Sequence, residues 1–171
     1  MRVINLFAGP GSGKSTTAAG LFFLLKSQGR NVELVTEFAK QLVWQERHAT
    51  FSDQLYILAK QNHKLNILKW KVEFAITDSP LLLSNIYAPE DYINHFDTFV
   101  GNLFSTYNNL NFFIKRVKPY NPVGRNQDEN GARDLDVTIK NYLDANSVPY
   151  FEINGDKEAP QKIVDFLTLI S

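Results

Sequence analysis

Residues 3–16 read VINLFAGPGSGKST, and the fold is decided by how this stretch is parsed. Val3 to Ala8 is a short apolar run of the length of a buried strand, and Lys14 to Gln28 carries a helical pattern that stops at Gly29. Between them Gly9, Pro10, Gly11, Ser12 and Gly13 form a glycine-rich turn. A turn of this kind between a strand and a helix start aims successive backbone N–H groups and the positive helix end at one point. That is an anion site. In such a cradle, formed by Gly9 to Thr16, Lys14 reaches the β- and γ-phosphates and the Ser15 hydroxyl holds Mg²⁺. ATP and Mg²⁺ are therefore the expected cofactors. The strict pattern opens with Gly where this chain has Ala8, a mild departure. With ordinary residue frequencies, its four fixed positions would match by chance in roughly one such chain in a hundred.

Outward from the turn, Asn31 to Thr36, Val72 to Thr77, Leu110 to Val117 and Tyr150 to Ile153 read as further strands. Helical patterns fill the gaps at 37–46, 52–71, 80–88, 92–107, 132–145 and 158–169, and Leu55, Leu58, Leu65 and Leu68 are expected on one helix face. Five strands alternating with helices predict an α/β fold in three layers, a parallel five-stranded sheet with helices on both faces. Ligands of such sheets gather at the carboxyl ends of the strands, so each candidate residue should follow a strand.

The composition sets bounds. A chain of 171 residues, 44% hydrophobic, has room for one domain, here expected to span 1–171 with a lid-like segment near 117–133. Eighteen basic and 18 acidic side chains cancel, so bulk charge does not point to nucleic acid. The absence of cysteine excludes disulfides, thiolate metal sites and a cysteine nucleophile. No apolar run reaches the ~18 residues of a membrane span. A cytoplasmic protein without membrane partners is the expectation.

Asp78 closes the third strand in VEFAITD, where a nucleotide-binding sheet needs a carboxylate near Mg²⁺; the alternative is a helix cap before Pro80. Glu37 directly follows the second strand and is placed to accept the proton of an acceptor hydroxyl or to bind an outer-sphere water; the alternative is an acid complementing a helix dipole. After the fourth strand, KRVKPYNPVGRNQDENGARD concentrates Lys115, Arg116, Lys118, Arg125 and Arg133. Guanidinium groups there would balance transition-state charge and a closing loop would exclude water; the alternative is a solvated segment with Arg133 paired to Glu129. His48, His63 and His95 show no metal-ligand spacing. Among the aromatic residues Phe38 and Tyr120 fall beside the site, while Phe112 and Phe113 read as core.

With these residues identified, the chain resembles the small P-loop kinases of the nucleoside and nucleotide (thymidylate) kinase group. The resemblance rests on GPGSGKST, Glu37, the DSP at 78–80 and the arginine-bearing segment after the fourth strand, and it covers most of the chain. It implies an ATP- and Mg²⁺-dependent phosphotransferase in which Glu37 is base or substrate ligand and Arg125 and Arg133 match the lid arginines. That group often has arginine after the acid of the third strand; Ser79 stands there, so this arginine's role has no bearer. More narrowly, TEFAK, ITDSPLLLS and KRVKPYNPVGRNQ resemble phage-encoded P-loop proteins, some of which phosphorylate the hydroxymethyl group of 5-hydroxymethyluracil in phage DNA. That likeness implies a modified-DNA acceptor, a host-cytoplasm location and a role in thymidine hypermodification. A kinase of free nucleosides or nucleoside monophosphates, and a P-loop NTPase switch acting through a protein partner, remain open beside it, as does a homodimer.

Overall fold

A computed structural model describes residues 1–46, 48–117 and 128–170. Its strands are β1 (Arg2–Phe7), β2 (Val32–Val35), β3 (Phe74–Thr77), β4 (Asn108–Lys115) and β5 (Phe151–Asn154). The helices are α1 (Lys14–Ser27), α2 (Phe38–Trp44), α3 (Gln54–Asn66), α4 (Leu83–Tyr87), α5 (Phe96–Ser105), α6 (Glu129–Ala145) and α7 (Ala159–Leu169). A 3-10 turn at His48–Ser52 joins α2 to α3.

All neighbouring strands pair in parallel, in the order β2-β3-β1-β4-β5. The expected α/β layering is therefore the observed one. Alternation along β1 divides its side chains between two cores. Ile4 and Leu6 pack with Leu21 and Leu25 of α1 and Ile163 and Leu167 of α7 on one face. Val3 and Phe7 pack with Leu58 and Leu65 of α3, Val100 of α5 and Ile139 of α6 on the other. Each fully buried Leu or Ile contributes about 1.5–3 kcal/mol of transfer free energy, so both helix layers are tied down by the same central strand. Asn5, also buried, donates to Asn109 at 2.9 Å and Asn111 at 3.0 Å, which meets the cost of a polar group between β1 and β4.

Local chemistry sets the element ends and explains where they depart from the sequence pattern. Helix α3 is shorter than the 52–71 pattern: the Asp53 carboxylate caps it by accepting from the Tyr56 N–H, and the chain turns left-handed at Trp70. Leu58 and Leu65 are buried on it, but Leu55 lies off that face and is 43% exposed. Helix α5 starts at Phe96 rather than 92, because His95 is left-handed. Helix α6 starts three residues before the expected 132, capped by Asp128, whose carboxylate accepts from the Gly131 N–H at 2.8 Å. Among the described residues no helix is long and apolar enough to cross a membrane.

Candidate active site

The turn after β1 has the backbone its glycines foretell. Gly13 has φ of +108°, a left-handed conformation that L side chains adopt only with strain, and it immediately precedes α1. Gly9 is required for a different reason: a Cβ there would meet the Ala132 carbonyl at 2.5 Å and the Asp136 carboxylate at 2.9 Å. The Lys14 ammonium donates to the carbonyls of Ala8 at 2.7 Å and Gly9 at 2.9 Å, so it sits over the loop. Burial lowers its pKa, opposed by the charges of Glu37, Asp78 and Asp136.

Asp78 follows β3 and is buried. One of its oxygens accepts from the Ser15 hydroxyl at 2.6 Å and the other from the Glu37 N–H at 3.1 Å. It does not cap the helix that follows it, since α4 has no side-chain cap. A single carboxylate therefore joins the first residues of α1 to the turn after β2. The Ser15–Asp78 oxygen pair suits Mg²⁺, a hard ion that usually takes one or two protein oxygens and completes its shell with waters and phosphate oxygens. Among the described residues no cluster of three or more His, Asp or Glu side chains offers an all-protein metal cage.

Glu37 ends the turn after β2 and lines a cleft of about 670 Å³ that runs from the glycine-rich loop to α2, α3 and α4. Its carboxyl is pushed up by burial, with Asp78 adding to the rise and Lys14 and Lys40 opposing it. The far wall is largely apolar, formed by Val43, Trp44, Phe51, Ile57 and Leu83. Gln54 and Gln61 bring buried amides to it. Gln61 accepts from the Phe38 N–H at 3.1 Å and donates to Thr77 Oγ1 at 3.2 Å, which fixes the start of α2 against the end of β3. Tyr87 closes the cleft from α4, its phenol pushed up to about 12 by burial and by the charges of Glu37 and Asp136.

The arginines go to three different places. Arg116 is nearly buried behind the loop, with Nε on Asp136 at 2.9 Å and Nη2 on the Pro10 carbonyl at 2.9 Å. Arg133 is exposed on α6 and paired with Glu129 at 2.8 Å, one turn earlier. Arg125 lies outside the described residues, as do Lys118 and Tyr120. Lys115 pairs with Glu152 at 3.6 Å on the surface, whereas Arg116 is nearly buried.

Phe38 packs edge-on against Tyr56 at 5.6 Å, and the rings that do line the cleft are Trp44, Phe51 and Tyr87. Asp136, Gln54 and Gln61 are the site-forming residues that no sequence signal marked. All three are ordinary polar positions within helices, and only the packing of α3 and α6 brings them here.

No protein-family model matches the chain, and no curated protein sequence does. Among solved structures, a deoxyadenosine kinase from M. mycoides, with the products dCMP and a flexible dCDP bound, superposes with a TM-score of 0.64. The match covers 99% of this chain and 100% of that one, at 18% identity. The two share one fold, a five-stranded parallel sheet with helices on both faces. The likeness spans the whole architecture, from β1 to α7.

Proposed function

We propose that the protein is an ATP- and Mg²⁺-dependent phosphotransferase acting on a hydroxyl of a nucleoside-type acceptor. The observation that carries this reading is Asp78, bonded at once to Ser15 at the phosphate loop and to the backbone of Glu37 at the cleft. Donor and acceptor sides meet at one carboxylate. Lys14 and the loop N–H groups hold the phosphates, and Ser15 and Asp78 hold the metal. When bound, Mg²⁺ neutralises phosphate charge as a Lewis acid. Glu37, its pKa raised, takes the proton of the acceptor hydroxyl as the new O–P bond forms and the bond from the γ-phosphorus to the departing ADP oxygen breaks.

The cleft favours a neutral base and sugar over a phosphorylated acceptor. Its far wall sets Val43, Trp44, Phe51, Ile57 and Leu83 beside two carboxamides, and the cleft's cations among the described residues are Lys14 and Lys40, with no arginine fork to grip an acceptor phosphate. The structural neighbour's printed activity, a deoxyadenosine kinase, is of the same class.

A second reading, phosphorylation of 5-hydroxymethyluracil in phage DNA, is favoured by the rim. Trp44 lines the cleft yet is 67% exposed, with Lys40 one turn before it on α2. An aromatic face beside a cation suits a base and a backbone phosphate flanking the reacting nucleotide.

Transfer from γ-labelled ATP separates these readings, using free deoxynucleosides, nucleoside monophosphates, ordinary DNA, DNA containing 5-hydroxymethyluracil, and no acceptor. Label on a deoxynucleoside supports the first reading and label confined to the modified DNA the second. Phosphate release without any labelled acceptor would overturn both in favour of an NTPase.

A further inference from the structure

We infer that Asp136 of α6 is a positioning residue of the phosphate loop, setting through one peptide group where the Lys14 ammonium sits. The inference rests on the phosphate-binding reading above but concerns a residue outside the loop's own sequence.

The peptide joining Ala8 to Gly9 is held from both sides. Its N–H donates to Asp136 Oδ1 at 2.6 Å, and its C=O accepts from Lys14 Nζ at 2.7 Å. In a planar trans peptide these two groups point in opposite directions, and no cis peptide interrupts the chain. Fixing the N–H therefore fixes the carbonyl on which the ammonium rests. The other Asp136 oxygen accepts from Arg116 Nε at 2.9 Å, and Arg116 Nη2 in turn donates to the Pro10 carbonyl at 2.9 Å and the Ala132 carbonyl at 3.3 Å. By the same planarity, drawing the Pro10 carbonyl toward Arg116 turns the Gly11 N–H to the opposite side of that peptide.

Two alternate peptide groups of the loop, Ala8–Gly9 and Pro10–Gly11, are thus oriented by one ion pair behind it. The pair is largely shielded, the Arg116 side chain being 4% and that of Asp136 17% exposed, so the geometry is not averaged by solvent. The contact between Gly9 and α6 is close enough to exclude any Cβ, so helix and loop form one piece. The negative charge of Asp136 also favours the charged form of Lys14.

The test compares wild type, Asp136→Ala and Asp136→Asn for Mg-ATP affinity by titration calorimetry, for KM of ATP against KM of the acceptor, and for thermal midpoint. Asp136→Ala should weaken Mg-ATP binding by about tenfold or more, since a shift of ~1 Å at a positioned group has effects of up to ~100-fold. The KM of the acceptor should stay within about twofold. Asp136→Asn keeps a carbonyl for the Gly9 N–H but loses the charge facing Arg116, and should recover part of the affinity. If Asp136→Ala does not fold, a lowered Mg-ATP affinity of Asp136→Asn still supports the inference. A lowered thermal midpoint with unchanged Mg-ATP affinity in a folded variant would make Asp136 merely structural and overturn it. Failure of the wild type to bind Mg-ATP would remove the phosphate-site reading and this inference with it.

Discussion

The Ser15 hydroxyl donates to Asp78 across 2.6 Å, joining the first turn of α1 to the end of β3. These residues are 63 positions apart in sequence, and β1 and β3, the strands that deliver them, are hydrogen-bonded neighbours in the sheet. An oxygen pair held that close by adjacent strands is formed before any ligand arrives, and would keep the reorganisation small for the proposed metal.

Replacing Ser15 with Ala should lower phosphoryl transfer by about 10²–10³-fold, the range seen when one preorganised transition-state contact is lost. Raising Mg²⁺ should recover part of the rate, because Asp78 remains. Transfer assayed across a magnesium series checks this, and a rate equal to wild type at every concentration would remove Ser15 from the metal site.

Lys14→Met should reduce transfer by ~10³-fold or more while moving the thermal midpoint by only a few degrees. The ammonium is buried at a desolvation cost, so its removal offsets the loss of its bonds to Ala8 and Gly9. Calorimetric melting alongside the labelled assay separates the two effects. A collapse of stability together with activity would make Lys14 mainly a structural tie.

For Glu37→Gln the expectation is a large fall in kcat with Mg-ATP affinity retained. The pH dependence has a definite sign. The carboxyl's folded pKa lies above the ordinary 4.5, so the folded protein binds this proton more tightly than the unfolded chain does. Its contribution to stability is complete below 4.5 and is lost as pH rises through the folded value. Glu37→Gln should therefore stabilise the protein relative to wild type near pH 8 and not near pH 4. In the wild type, the transfer rate should rise with pH through an inflection above 4.5, and that inflection should vanish in the variant.

Gly155 follows β5 and abuts the loop: a Cβ there would stand 2.2 Å from the Ser12 carbonyl and 3.1 Å from that of Lys115. Both obstacles are backbone and cannot swing aside. Gly155→Ala should cost about 1–3 kcal/mol of stability, as overpacking does, and should weaken ATP more than the acceptor because it pushes on Ser12. Denaturant melts and the two KM values report on this, and an unchanged ATP KM would show that the loop yields without consequence.

The parts of this site readable from sequence are those determined locally or by strand ends. Gly9 to Ser15 is a contiguous turn whose glycines answer to backbone geometry. Asp78 and Glu37 are legible because a parallel sheet delivers every strand's carboxyl end to one edge. Arg116 stood out only as a positive charge after β4, and its burial against Asp136 depends on how α6 packs on the loop. Gln54, Gln61 and Tyr87 enter the cleft through the angles of α3 and α4, which apolar spacing does not encode. The start of α6 was hidden in the same way, since the Asp128 cap lies within a run of polar residues that reads as a turn.

Strand β1 is the middle of five, paired along most of its length with β3 and along all of it with β4, and it carries the loop directly at its end. The acceptor wall instead hangs on α2 and α4, of seven and five residues, which could not persist alone in water. Backbone amides of β1 should therefore exchange with deuterium only on global unfolding, while those of α2 and α4 exchange by local opening. On the proposed reading, the half that holds ATP is an anvil and the half that holds the acceptor a set of exchangeable jaws. Regrafting residues 38–52 and 81–88 from a relative of different substrate preference should retarget the transfer without disturbing how ATP is held.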